Sequence, residues 1–223
     1  NSTADSSGNR GTDINQNATI SGTIGDFTFL SSFSLTGVDG MSSAKSTTDT
    51  EFEADSYYSK NGLLKLGYQI NEKVSVETFL NFDAFEYDFD GGAFSDSEVN
   101  TGNQEQLRVG VKPSYTYTKG QLYLLAAVNS VKRGLNQFNS FSNTLDNYQF
   151  EGNSLFLDLV NKYEFSNQFQ LIAGVNYQEH SNQSENPFGT IDKEVANFNT
   201  LDPYASLVYI SKYGISANVG GRL

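Results

Sequence analysis

Five short turn signals divide the chain at nearly even intervals: Gly25-Asp26, Asn71-Glu72, Lys119-Gly120, Ser166-Asn167 and Ser211-Lys212. Between their first residues the intervals are 46, 48, 47 and 45 residues. Each turn separates two runs in which apolar and polar residues alternate, the mark of strands with one apolar and one wet face. Half-way between the turns lie long polar segments, at residues 38–61, 88–103, 134–148 and 179–200. The pattern predicts an all-β chain of about ten antiparallel strands in five hairpins, with short turns at one rim and long loops at the other. Transmembrane β-barrels have that asymmetry. A soluble β-sandwich places turn signals every ~8–12 residues and shows no such alternation of loop lengths.

The faces can be assigned strand by strand. Leu107, Val109, Val111, Tyr115 and Tyr117 alternate with Gln106, Arg108, Gly110, Lys112 and Ser114. Val74, Val76, Leu80 and Phe82 alternate with Ser75, Glu77, Asn81 and Asp83, and the run 168–178 repeats the scheme. Polar positions such as Glu77, Asn81, Asp83, Arg108, Lys112, Asn129 and Asn176 are expected to line the lumen. Phe27, Phe29, Tyr68, Tyr115, Tyr117, Tyr163, Phe169 and Tyr209 lie close to short turns and in phase with the apolar face. They are expected to form one aromatic girdle of the barrel.

Composition excludes several other classes. The longest apolar run, 122–128, is far short of the ~20 residues of a membrane helix. Cysteine is absent, which removes disulfides, thiolate metal sites and thiol catalysis. A net charge of -12 argues against nucleic acid as a partner, since the phosphate backbone calls for clustered Lys and Arg. The single histidine, His180, reads as a loop residue in QEHSNQSEN, with no assignable nucleophile or base partner. No catalytic residue is assigned, and the chain reads as a non-enzyme.

Two acidic segments carry the sharper chemistry. Asp49, Glu51, Glu53 and Asp55 occupy every second position, so an extended chain would project their carboxylates from one side. Asp88, Asp90, Asp96 and Glu98 sit in DFDGGAFSDSE, where Gly91-Gly92 permits a tight turn. Both segments flank one predicted hairpin and would meet at one rim. Hard oxygen ligands at this density suit Ca²⁺, with Asp49, Glu51, Glu53, Asp55, Asp88 and Asp90 as candidate ligands. The other reading is a solvated acidic loop. The spacing does not match an EF-hand.

The stretch 54–94, ADSYYSKNGLLKLGYQINEKVSVETFLNFDAFEYDFDGGAF, resembles barrel hairpins of TonB-dependent outer-membrane receptors, closest to the vitamin B12 and ferric-siderophore branch. The closing GISANVGGRL is similar to a barrel strand of the same receptors. The resemblance implies a central wall segment of a bacterial outer-membrane transporter for a nutrient such as cobalamin or an iron-siderophore. It implies outer-membrane lipid around the barrel, nutrient at the extracellular loops, and a plug domain and TonB outside this segment. It further implies calcium in the acidic loops. Residues 1–223 read as a single barrel segment with no plug, whereas those receptors close with 22 strands. The alternative is a small complete outer-membrane barrel serving as a structural anchor or adhesin.

Overall fold

A computed structural model describes residues 13–40, 42, 44, 46, 47 and 52–223. All of the regular structure in these residues is β. The strands are β1 (Asp13–Ile24), β2 (Phe27–Asp39), β3 (Ser56–Asn71), β4 (Val74–Asp88), β5 (Thr101–Tyr117) and β6 (Gly120–Asn139). They continue as β7 (Thr144–Ser166), β8 (Phe169–Asn186), β9 (Gly189–Ile191), β10 (Asn197–Ile210) and β11 (Ser216–Arg222). They form one antiparallel sheet in the order β1-β2-β3-β4-β5-β6-β7-β8-β10-β11, with the three-residue β9 added to β8. The ten long strands match the expected hairpins, and β9 is an eleventh strand inside a segment read as loop. The sheet does not close, because β1 and β11 form its two edges.

Turn chemistry fixes the register. Gly25 supplies the positive φ (58°) of the β1–β2 turn. The next three turns sit one residue from their predicted places, at Glu72-Lys73, Thr118-Lys119 and Asn167-Gln168. The Asn71 carboxamide accepts from the amides of Lys73 and Val74 at 2.9 and 3.0 Å, closing the first of these. The fifth connection is longer than expected: the Ser211 amide reaches the Ile215 carbonyl at 2.8 Å, with Gly214 at φ 80°.

Antiparallel partners share a face, so the register sorts every side chain. One face collects Phe33, Leu80, Val109, Val128, Leu159, Val175 and Leu207, all exposed. The other collects all seven residues expected to line the lumen. Ser59, Ser114 and Asn176 are buried on this second face, while Val160 is the one apolar side chain fully buried among the described residues. A water-soluble sheet would reverse this arrangement. The apolar face spans nine residues on each of six strands, at 27–35, 74–82, 107–115, 155–163, 169–177 and 201–209. Nine residues match the ~9–11 that cross a bilayer at a tilt.

The predicted girdle forms at the short-turn edge of this band. Tyr117 lies 6.3 Å from Tyr115 and 6.4 Å from Tyr163, Tyr163 packs edge-on against Phe165 at 4.9 Å, and Phe169 meets Tyr209 at 4.9 Å. The Tyr117 hydroxyl donates to Asn161 at 2.6 Å, which gives the outward ring its polar anchor.

The predicted loops require correction at the opposite rim. Residues 134–148 were expected to be a long loop; instead β6 runs 20 residues, β7 runs 23, and a turn at 140–143 joins them. Likewise β8 continues to Asn186, which places His180 on a strand, stacked on Phe198 at 4.7 Å. Beyond the apolar band the outward face of these strands turns mostly polar, and Val131, Leu135, Tyr148 and Phe150 fall on the inward face, out of phase with the band, while the backbone ladder persists. Amide side chains take over the cross-strand pairing: Asn147 donates to Asn136 at 2.7 Å, and Asn136 to Thr101 at 3.0 Å. At roughly 3.3 Å per residue, the eleven residues of β7 before the band, 144–154, extend roughly 36 Å along the strand. Residues 89–100 do form a loop between β4 and β5, and the described residues between β2 and β3 lie outside any strand.

Candidate cation site and inner wall

The described residues of 40–55 and the loop at 89–100 meet through Asp90. Its carboxylate accepts from the Ser42 hydroxyl at 2.9 Å, the Ala44 amide at 2.5 Å and the Ser97 amide at 3.2 Å. One carboxylate oxygen from each of Glu53, Asp90 and Asp96 lies within 4.8 Å of the other two. Burial, a hydrogen bond to Asp96 and the charges of Asp96 and Asp90 push the Glu53 carboxyl up to about 7. As two carboxylates, Glu53 and Asp96 offer each other no donor, and Glu53 Oε2 and Asp96 Oδ1 are enclosed without a hydrogen-bond partner among the described residues. A proton on Glu53, or a cation between the groups, resolves the conflict.

Of the six candidate ligands, the structure brings Glu53 and Asp90 together, and Asp96 completes the group. Asp88 lies apart from it: its carboxylate accepts from the Ser56 amide at 3.3 Å and from the Ser56 hydroxyl. Asp55 is outside the group of three, and its backbone carbonyl accepts from the Gly40 amide at 3.1 Å. Asp49 and Glu51 lie outside the described residues. Asn100, 1% exposed, holds loop 89–100 in place by accepting from the Phe138 amide at 2.7 Å.

The inner wall is a hydrogen-bonded polar surface. Lys112 pairs with Glu77 at 3.3 Å, and its ammonium lies 5.1 Å from the centre of the Tyr123 ring. Gln106 donates to Asn129 at 2.7 Å. Toward β11, Arg222 pairs with Asp202 and reaches Asn176 at 3.3 Å, while Tyr204 donates to Asp158 at 3.2 Å. Alternation alone predicted which residues face inward; it carried no signal for which of them bond.

Apolar outward band, polar inner wall and aromatic girdle together define an all-β sheet with the barrel-like fold of outer-membrane proteins, here an open arc. No protein-family model and no curated protein matches the chain. Among solved structures it is similar to the copper transporter OprC, with a TM-score of 0.63 and 12% sequence identity. The match covers 94% of this chain and 35% of that one, so this chain spans about a third of that structure's length. At this identity the likeness establishes the fold.

Proposed function

We propose that the chain is a wall segment of an outer-membrane transporter that takes up a small nutrient. The observation that carries this reading is the nine-residue outward apolar band over a polar inner wall, which suits lipid outside and water or cargo inside. Unpaired edge groups of β1 and β11 would cost several kcal/mol each in hydrocarbon, so both edges call for partner strands of a larger barrel. The likeness to about a third of a longer transporter chain supports that geometry. Short turns then face the periplasm, and the loops at 40–55 and 89–100 face outward. A plug and TonB belong to the reading as partners outside this segment. Cobalamin and iron-siderophores are the cargo to which the sequence resemblance points.

The protein is expected to fractionate with the outer membrane, to need detergent, and to migrate faster folded than boiled. A folded monomer that stays soluble without detergent would overturn the reading. Deleting the gene is expected to abolish growth on a limiting cobalamin or iron chelate. The projecting β6–β8 wall favours a second reading, a surface anchor or adhesin, in which deletion leaves uptake intact and weakens adhesion.

Glu53, Asp90 and Asp96 would hold a hard divalent cation such as Ca²⁺, with carbonyls and water completing its 6–8 oxygens. A raised carboxyl pKa means the folded loop binds a proton that the unfolded chain has lost. Without metal, the loops therefore lose stability as pH climbs from the ordinary 4.5 to about 7. Calcium affinity is expected to rise over the same interval and then level off, because calcium must displace that proton. Calorimetric titration at pH 5.5 and pH 8 tests this. Equal affinity at both pH values, or in Glu53→Gln, would remove the cation from the proposal.

A further inference from the structure

Four rings follow one another on the inner wall near the long-loop rim: Tyr57 on β3, Phe85 and Tyr87 on β4, and Phe89 just beyond. Their centroids are 6.2 Å (Tyr57–Phe85), 6.2 Å (Phe85–Tyr87) and 5.9 Å (Tyr87–Phe89) apart. Tyr57 pairs with Tyr87, and Ser59 with Phe85, so the strand residues share the lumen face, while Tyr58 and Glu86 between them face outward. Opposite Tyr87 on β5 stands Gly102, where a Cβ would overlap the Tyr87 ring. The ring thus lies over bare backbone.

Lipid does not account for these aromatics. Girdle rings face outward, whereas these face a side that is ordinarily polar in barrels. Their neighbours on β5 are uncharged amides: Gln104 stands opposite Phe85, and Gln106 opposite Asp83. Asn61 and Asn81 continue the polar row on β3 and β4. In register, two inward cations flank the row: Arg108 on β5, opposite Asn81 and below the ladder, and Arg133 on β6, opposite Gln104 and two strands from Phe85. An anionic ligand would meet Asp83 and the carboxylates beside Phe89, and an apolar ligand would cover a row whose amides, though Gln106 bonds Asn129 and Asn81 bonds Asp83, keep further donors and acceptors to satisfy.

We propose that this ladder and its amide row form a binding track for a neutral oligosaccharide. The rings stack on the C–H faces of sugar rings, and Gln104, Gln106 and Asp83 hydrogen-bond the hydroxyls. The inference rests on the transporter reading and replaces the cargo class that the sequence resemblance implies.

The test applies the full-length protein, labelled and purified in the sugar-free detergent lauryldimethylamine oxide, to an array of neutral oligosaccharides. A spot of a ferric tris-catecholate chelate is included. The heat-dependent gel shift of the same sample reports the folded barrel, so loss of that shift strikes the transporter reading and not the track. At least one oligosaccharide is expected to be retained, and Phe85→Ala and Tyr87→Ala are each expected to weaken retention about tenfold. Tyr57→Phe is expected to keep it. Where an alanine variant loses the heat shift, Tyr87→Leu removes the ring while keeping bulk. Retention of no oligosaccharide by the folded protein, retention of the ferric chelate alone, or retention unchanged in the ring variants would overturn the proposal.

Discussion

The same hairpin, β6–β7, shows two kinds of sheet. Near its short turn, Leu122, Leu124, Val128, Leu155, Leu157 and Leu159 face outward while Tyr123, Asn129, Asp158 and Lys162 face inward. Past residue 130 the hydrogen-bonded ladder continues without a break, yet outward Lys132, Asn136, Asn147, Gln149 and Glu151 are polar, while Val131, Leu135, Tyr148 and Phe150 face inward beside Arg133. The lower part presents an apolar face outward and the upper part a polar one. The stretch over which apolar residues hold the outward phase therefore measures the thickness of the apolar medium, and it does not measure the length of the strand.

The widest separation between the two regions is expected from placing a charge on the outward face. Leu159, 48% exposed, lies at the middle of its band, and Leu159→Arg is expected to cost about 2–4 kcal/mol of folding in lipid vesicles. Gln149→Arg, on the same face of the same strand, is expected to stay within about 0.5 kcal/mol. Urea titrations of both variants in vesicles decide the matter, and equal costs would erase the distinction between the regions.

A smaller difference is expected from adding side chains to glycines. A Cβ on Gly174 would meet the Tyr204 ring at 2.5 Å and the Leu159 carbonyl at 2.7 Å, so Gly174→Val is expected to cost about 1–3 kcal/mol. Gly152, in the upper part, has nothing within 4 Å of its Cβ position. Gly152→Val is expected to be neutral or slightly stabilising, because strands favour β-branched residues. Destabilisation of both to the same extent would mean that the upper sheet is as tightly packed as the lower.

The smallest effect concerns the join between the upper sheet and the acidic loop. Asn100→Ala removes the acceptor for the Phe138 amide and is expected to cost about 1 kcal/mol locally. Hydrogen exchange is expected to quicken across 89–100 and near Phe138 while the band stays protected. Uniform quickening through β5 and β6 would show that the loop is part of the barrel's global stability.

How far the sequence could be read follows the range of the interactions involved. The band, its girdle and the inward residues were legible because side-chain direction alternates at every residue and the apolar residues of the band keep to one face. The five turns were legible to within a residue for four of them, since Gly25 and Asn71 act on their immediate neighbours. His180 and residues 134–148 were misread as loop, because there the outward residues turn mostly polar and the apolar ones lose the phase of the band, which looks alike in a loop and in a strand.

The candidate cation site divides in the same way. The acidic density and the meeting of two loops at one hairpin were visible, whereas the pairing of Glu53 with Asp96, and the turn of Asp88 toward Ser56, were not. Those contacts join residues 43 and 32 positions apart, and no periodic signal links such distant segments. The inner ring ladder was equally hidden: Phe85 and Tyr87 read as good strand formers until the register with β3 and Gly102 set them over bare backbone. The sequence by itself determined the strand order, the outward apolar band and the rim at which the loops gather, because these depend on local geometry and on the segregation of apolar residues to one face. Only the tertiary structure decided how far the strands run, which carboxylates meet and which rings touch, because those depend on register and close approach between distant segments.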